Sequence, residues 1–334
     1  MRKIKLIMQI VAASFIAMFV YNLVYEPHKA EVRAAVRQGM PRLEQMVGGA
    51  AEPDAPLPEG RLRITVLDIG QGDAILLQDG KRNVMIDVGD NRKDETGRGG
   101  RQALEQALAK AGVQAGRDKL NTVIVTHHHN DHMGNIKWLA GKYNVSNIYD
   151  NAMPNTKNQI SVWLNGELRA GHYHNRVLKA GDRVDFGKGY YLETLSPGNF
   201  LDAKDLKNLN NTSIVMKLHY GKFTMLFTGD AEAPVEDALQ QKYGDSLRAD
   251  VLKVGHHGSR TSSIYKFVSR VKPQFALISC GAFQIYHHPN KDVVGRLQHL
   301  GAKVMTTFEQ GNLTVTTDGQ TFAVESERKI ASNT

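Results

Sequence analysis

Apolar residues fall along this chain in two regimes. Leu6 to Val24 is a run of 19 residues without a charge, in which only Gln9, Ser14 and Asn22 are markedly polar. That is about the length an apolar helix needs to cross a bilayer. Arg2, Lys3 and Lys5 precede it, a placement that keeps the N-terminus in the cytoplasm and exports the remainder of the chain. Bulky Leu23-Val24-Tyr25 offer no small-x-small cleavage site, so an uncleaved anchor is expected ahead of a removed signal peptide. Glu26 to Val47 then reads as a charged helix or stalk, and Gly48 to Gly60, with three prolines, as a linker.

From Arg61 onward the pattern changes. Short apolar runs, Asn121 to Thr126, Phe223 to Phe227, Asp250 to Val254 and Ala276 to Ser279, read as strands. Between them lie helical patterns at Arg101 to Ala111, Ala231 to Lys242 and Lys291 to Leu300. Such alternation predicts an α/β layered fold. The polar, irregular stretch from Asn151 to Asp182 predicts an insertion or lid, and its Trp163 and Tyr173 either touch substrate or pack. The expected division is an anchor or signal over 1–25, stalk and linker over 26–60, one folded domain over 61–326 and a polar tail over 327–334.

Histidine supplies the candidate chemistry. Eight of the thirteen histidines fall in three short segments: His127-His128-His129 with His132, His256-His257, and His287-His288. The first segment reads His-x-His-x-Asp-His directly after an apolar run. If the chain leaves that strand extended, His127 and His129 point the same way and can share one ion. A helix starting near His132 would carry Asp131 and His132 towards a second. Imidazole and carboxylate are ligands that Zn²⁺ or Mn²⁺ accepts, and such ions with an open position supply hydroxide near neutral pH. Asp230 follows the strand Phe223 to Phe227 and is placed to bridge both ions, although a Gly-Asp pair after a strand is also a common turn. His28, His172, His174, His219 and His299 are scattered and read as structural.

These residues resemble the metallo-β-lactamase fold, and within it the C-terminal nuclease domain of the ComEC competence channel and its free-standing relatives. The likeness runs from about Arg61 to Glu325. It is carried by Leu67-Asp68-Ile69-Gly70-Gln71-Gly72-Asp73-Ala74, Met85-Ile86-Asp87-Val88-Gly89-Asp90, Asn210-Asn211-Thr212-Ser213, Thr228-Gly229-Asp230, Leu252-Lys253-Val254-Gly255-His256-His257-Gly258-Ser259 and His288-Pro289. The fold it implies is an αββα sandwich, two packed β-sheets flanked by helices, with metals at the sheet edge. The resemblance implies one metal on His127 and His129 with Asn211, and another on Asp131, His132 and His256, with Asp230 bridging and a metal-bridged hydroxide attacking. Asp131, His257 and His288 are the expected catalytic groups, His257 or His288 stabilising developing charge or protonating the leaving oxygen, with orientation of a ligand as the alternative for His257. Lys253, Ser259 and Arg260 are expected at substrate, and Asp68, Gln71 and Asp73 behind the ligands or in the turn.

Three positions depart from relatives. Asn210-Asn211-Thr212-Ser213 stands where many hydrolases of this fold place a third histidine, His129 stands where the competence type often has Asp, and Met133-Gly134-Asn135 replaces a pair of glycines in a way closer to the phosphorylcholine esterases.

Charge adds little discrimination. Of 42 Lys and Arg against 34 Asp and Glu, residues 1–60 hold seven and six, so the remainder keeps a surplus of seven cations. That permits a polyanionic partner, and no aromatic-rich basic stripe marks a stacking platform for single strands. The lone Cys280 excludes an internal disulfide, and its apolar strand context predicts burial. The expectation is therefore an exported, membrane-anchored, two-metal (Zn or Mn) phosphodiesterase acting on DNA in the periplasm or outside the cell, or secreted after cleavage. The alternatives are a phosphorylcholine esterase, lactonase or β-lactamase, and a non-catalytic metal-binding competence module.

Overall fold

The computed structural model describes residues 57–93, 99–187, 189–281 and 287–329. The expected anchor, the stalk and nearly all of the linker lie outside the described residues. Among the described residues no helix is long and apolar enough to cross a membrane.

Two β-sheets carry the domain. The first orders its eight strands β15-β14-β1-β2-β3-β4-β5-β6: β1 (Leu62–Val66), β2 (Ala74–Gln78), β3 (Asn83–Val88), β4 (Thr122–Ile124), β5 (Asn147–Asp150), β6 (His174–Val177), β14 (Leu313–Thr317) and β15 (Phe322–Ser326). The second runs β13-β12-β11-β10-β9-β8-β7, built from β7 (Arg183–Asp185), β8 (Tyr190–Ser196), β9 (Val215–Tyr220), β10 (Phe223–Phe227), β11 (Val251–Lys253), β12 (Phe275–Ile278) and β13 (Lys303–Thr306). With helices packed on the sheets, this is the α/β sandwich that the sequence predicts.

Half of each sheet is parallel, and that half positions the site. β3, β4, β5 and β6 pair in parallel, as do β10, β11, β12 and β13. The inner parallel strands β4, β11 and β12 are covered on both faces, and all their residues are buried, whereas the outer pair β5 and β6 is more polar. Their helices, Gly100–Lys110, Ala233–Tyr243, Tyr265–Val271 and Lys291–His299, close two separate cores. The first gathers Leu76, Met85, Val123, Ile136 and Leu164, and the second Leu226, Val254, Phe267, Ile278 and Leu297. Cys280 is buried, and burial pushes its thiol up to about 12.

The stretch 151–182 is less irregular than expected. It holds the helix Gln159–Arg169, capped by Asn158, whose side-chain oxygen accepts from Ile160 N and Ser161 N, and then strand β6. The reason it reads as a loop is its two-faced helix, which buries only Ser161 and Leu164 fully and shows the rest to solvent. The expected polar tail is likewise tied down at its start, where Arg328 pairs with Asp68 at 3.0 Å.

A buried carboxyl links two of the helices. Glu236, in helix Ala233–Tyr243, accepts the backbone N–H groups of Ser263 (2.7 Å) and Ile264 (2.8 Å) and so caps the helix Tyr265–Val271. Burial outweighs those two donors and raises its pKa to about 8. The folded state therefore keeps a proton that the unfolded chain, with an ordinary carboxyl near 4.5, releases. Stability is then full below about pH 4.5 and falls as pH rises towards 8. Thermal melts from pH 4.5 to 8 should show this decline in the parent and its loss in Glu236→Gln, while Glu236→Ala should cost about 3 kcal/mol in denaturant unfolding because two buried donors lose their acceptor.

Candidate metal centre

The carboxyl ends of the parallel strands of both sheets open on one edge, the usual ligand crevice of an open α/β sheet. β3 delivers Asp87, β4 leads through Thr126 to His132, β10 to Asp230, β11 to the loop 255–258, and β12 to Ser279. After β4 the chain bends at His127 and His128, returns to an extended conformation at His129, and enters a four-residue helix, Asn130–Met133. His127 and His129 turn to one side. His128 points to the other, where its ring lies 2.7 Å from Ser161 Oγ and 3.2 Å from Asp150 Oδ2.

Four side chains converge in the crevice. Asp131, His132, Asp230 and His257 each bring one ligand atom, and all four atoms lie within 4.8 Å of one another. His132 Nε2 is 3.1 Å from Asp230 Oδ1, and His257 Nε2 is 3.3 Å from Asp131 Oδ2 and 3.5 Å from Asp230 Oδ2. Ligands at about 2.0–2.1 Å from a tetrahedral ion stand about 3.3 Å apart, so these spacings suit a shared cation. His132 Nε2, His257 Nε2 and Asp230 Oδ1 are buried with no hydrogen bond. Buried polar atoms seldom go unpaired, and three of them meeting as nitrogen and carboxylate donors fit a divalent ion.

A second group sits alongside. His127 Nε2 lies 3.0 Å from His129 Nδ1, and the rings of His127 and His132 are 4.2 Å apart. The carboxamide of Asn210 reaches His129, and its Oδ1 is buried without a partner. Asn211, the residue expected here, is committed elsewhere: its Nδ2 donates to Asp205 O and its Oδ1 accepts from Glu232 N. The register of the short helical turn Leu209–Thr212 thus presents Asn210 where the sequence points to Asn211.

Hydrogen bonds behind the ligands set which nitrogen faces the crevice. Asp87, buried and at φ 58°, accepts from Thr126 N and Thr126 Oγ1, both at 2.7 Å, and its Oδ2 lies 2.7 Å from His132 Nδ1. A carboxylate only accepts, so Nδ1 carries the proton and Nε2 turns to Asp230. His257 Nδ1 likewise lies 3.0 Å from the Ser279 carbonyl and 3.4 Å from Asp73 Oδ1. Both His256 and His257 have positive φ, 49° and 54°, a strained loop that aims two adjacent imidazoles apart.

Charge obeys the same layout. Burial lowers the pKa of His127 well below its ordinary value, with His132 adding repulsion, so His127 is neutral. Burial also opposes charge on His132 and His257, but the carboxylates win: Asp230, Asp87 and Asp131 hold His132 well above its usual value, and Asp230 does the same for His257. Asp230 itself is held well below the carboxylate range, burial being outweighed by His132 and His257. An electronegative pocket of this kind favours a cation in place of those protons.

The remaining expected residues divide between the crevice and its surroundings. His256 is turned to Glu232 Oε1 (3.3 Å) and Thr261 Oγ1 (3.0 Å) and lies 3.8 Å from Asp230, so His257 occupies the place beside Asp131 and Asp230 that the resemblance assigns to His256. His288 is half-buried, its ring 5.6 Å from His256 and 6.3 Å from His257; burial and those two neighbours pull its pKa down to about 4. This direction favours its neutral form near pH 7. Ser259 Oγ lies 3.0 Å from Thr261 Oγ1, and Arg260 is exposed at the end of the loop. Asp68 is spent on Arg328, whereas Gln71 Oε1 is buried without a partner. Sequence reasoning assigns no role to Asp87, Asn210, Ser213 or Glu232, though Asp87, Asn210 and Ser213 lie inside the motifs that carry the resemblance.

Lys253 is a correction. Expected to meet substrate, it is fully buried, with Nζ 2.7 Å from Asp73 Oδ2 and donating to Val254 O. The physical reason is its strand: both faces of β11 are covered, and all three of its residues are buried. Asp73 reaches that lysine because Gly72 lets the turn close on the metal loop; a Cβ there would sit 2.3 Å from Asp131 O. Lys253→Ala should leave Asp73 buried and unpaired and cost about 3–5 kcal/mol, measured by denaturant unfolding. A loss of substrate affinity with unchanged stability would restore the surface role.

Comparison with known proteins agrees with this geometry. Residues 67–282 match the family described as the metallo-beta-lactamase superfamily. The chain is 31% identical over 260 residues to "Competence protein ComA" of Neisseria gonorrhoeae, covering 77% of this chain and 32% of that one. It is 29% identical over 267 residues to "ComE operon protein 3" of Bacillus subtilis, covering 75% and 32%. The chain thus spans about a third of the length of the curated relatives it matches. Among solved structures, the metallo-beta-lactamase fold protein YhfI from Bacillus subtilis is similar at 14% identity and a TM-score of 0.49, over 77% of this chain and 99% of that one. The chain belongs to the metallo-β-lactamase superfamily of metal-dependent hydrolases and has competence proteins among its relatives.

Proposed function

We propose that this protein is a two-metal phosphodiesterase that cleaves DNA, held by its apolar N-terminal span with the hydrolase domain on the outer side of a membrane. The observation that carries it is the convergence of Asp131, His132, Asp230 and His257 at ligand spacing, with unpaired buried donors. The competence names of the relatives and the surplus of seven cations after residue 60 support DNA as the polymer.

In this reading His127, His129 and Asn210 would hold one ion and Asp131, His132 and His257 the other, with Asp230 available to both groups. Zinc or manganese bound there supplies Lewis acidity and makes water acidic near neutral pH. The chain's own groups do the rest. Asp87 and the Ser279 carbonyl fix the imidazole orientations, and Asp131, the most exposed of the four converging carboxylates and imidazoles, marks the mouth of the crevice. Arg260, exposed at the end of the loop, would meet a backbone phosphate. His288, neutral, offers an N–H to a negative oxygen, or accepts a proton.

The departure at Met133-Gly134-Asn135 does not favour a small-ester hydrolase. Met133 is in the core, and Asn135 Nδ2 donates to Val88 O (2.9 Å) and Asp90 O (2.8 Å), a bracing role away from the crevice.

Two expected outcomes test this reading. The purified full chain should bind close to two equivalents of zinc or manganese and hydrolyse DNA and bis-p-nitrophenyl phosphate, and Asp230→Ala should lose most of the metal together with at least about a thousandfold in kcat/KM. Turnover of p-nitrophenyl phosphorylcholine or nitrocefin with none of any phosphodiester would sink the nuclease reading and leave the metallohydrolase. For location, a phosphatase reporter fused after Thr334 should be active and sediment with membranes; activity in a soluble, shortened product would mean that the span is cleaved.

A further inference from the structure

Beside the crevice lies a shallow cavity of about 500 Å³ whose walls include Asn91, Arg101, Lys137, Trp138, Lys142 and Ile160. It is joined to the metal loop through Asn91, whose Oδ1 accepts from Asn130 Nδ2 at 3.0 Å, one residue before Asp131. Of the two tryptophans of the chain, Trp138 lines the cavity and Trp163 stands next to it. Trp138 is in the helix Ile136–Lys142, and Trp163 is in the helix Gln159–Arg169, which packs against it, less than a turn beyond the lining residue Ile160. Both rings are only partly buried.

Cations surround the two indoles. The Arg101 guanidinium and the Lys142 ammonium each lie 5.6 Å from the Trp138 ring centre, and the Lys137 ammonium lies 5.5 Å from that of Trp163. Lys142 is neutralised by Glu105 at 2.8 Å. Among the described residues no carboxylate pairs with Arg101 or Lys137.

We propose that this cavity is a strand-binding subsite, taking a base of a single-stranded nucleic acid against the Trp138 indole and the flanking phosphates on Arg101 and Lys137. The inference rests on the phosphodiesterase reading and adds to it a preference for single strands. An indole face accepts any base, and the neighbouring cations suit the backbone. The volume falls in the range of small-molecule sites and is ample for one nucleotide. A duplex keeps its bases stacked inside, so only an unpaired strand can use the platform. The lining is cationic and its largest apolar surface aromatic, which matches a base and its phosphates better than the aliphatic anchor of a protein partner. Its contact with Asn91 and Asn130 sets a strand held there next to Asp131.

Because Trp138 and Trp163 are the only tryptophans, intrinsic fluorescence of the full chain reports this cavity directly. With EDTA present to stop cleavage, a 12-nucleotide oligothymidylate should quench the emission saturably, Trp138→Phe and Trp163→Phe assigning the signal. The exposed pair Arg101→Ala/Lys137→Ala should weaken binding by about tenfold and reduce the log-log salt slope by about 1.4, two phosphates at about 0.7 each. Its hydrolysis of bis-p-nitrophenyl phosphate, which engages only the metal crevice, should equal that of the parent. Emission unmoved by the strand, or a double variant that binds like the parent, overturns the subsite whatever the enzyme does. A saturable quench in a parent with no phosphodiester turnover keeps the subsite and rejects the phosphodiesterase.

Discussion

The structure depends on accommodating carboxyl groups where water does not reach. Asp73, Asp87 and Asp230 are each about 1% exposed, and all three lie within one crevice. An isolated buried carboxylate is too costly to survive, so each must have a cation or a set of donors. Lys253 serves Asp73, Thr126 and His132 serve Asp87, and His132 with His257 face Asp230. Because these partners come from both sheets, satisfying the charges also ties the sheets together. Ser279 Oγ donates to Gly72 O, and the backbone N–H of Ile214 donates to Thr126 O, both across that same edge.

The same arrangement sets a layer of groups behind the crevice. Asp87 has both oxygens engaged, by Thr126 and His132, and Asp73 holds Lys253 through Oδ2 while its Oδ1 lies 3.4 Å from His257 Nδ1. Asp87 thereby orients His132 through Nδ1 and leaves Nε2 for the crevice. Ser213 acts similarly from the other side: its Oγ accepts from Asp230 N at 3.0 Å and lies 3.3 Å from His127 Nδ1. Ligand geometry in this protein is therefore a property of the hydrogen-bonded layer behind the ligands rather than of the His-x-His-x-Asp-His segment alone.

How much of this is legible in the sequence depends on the range of the interaction behind each feature. The strands ending at Phe227 and near Val254 and Ser279, and the alternation that sends His127 and His129 one way, rest on local periodicity, and the sequence reading places them to within a residue or two. The choice between His256 and His257, and between Asn210 and Asn211, rests on the backbone turn at each pair; adjacent residues of the same type carry no periodic signal to separate them. Lys253 misleads because a lysine beside a histidine loop looks like a phosphate contact, and only the packing of the folded domain shows that β11 is buried on both faces. The cluster of Trp138, Trp163 and Arg101 is invisible in the sequence for the opposite reason: its members are spread over 63 positions and meet only through helix packing.

His128 connects these two levels. It is the middle histidine of the run, turned away from the crevice, and it spends its ring on Ser161 and Asp150. Ser161 Oγ also accepts the backbone N–H of Asn155, so one buried hydroxyl joins the metal loop to the segment leading into the helix Gln159–Arg169. Trp163 rides on that helix, two residues further on. The packing that turns His127 and His129 to one side thus turns His128 to the element that carries Trp163. A displacement of the loop after β4 that left this helix behind would unpair His128, Ser161 and Asp150 in a buried setting, so these hydrogen bonds tie the loop to the helix.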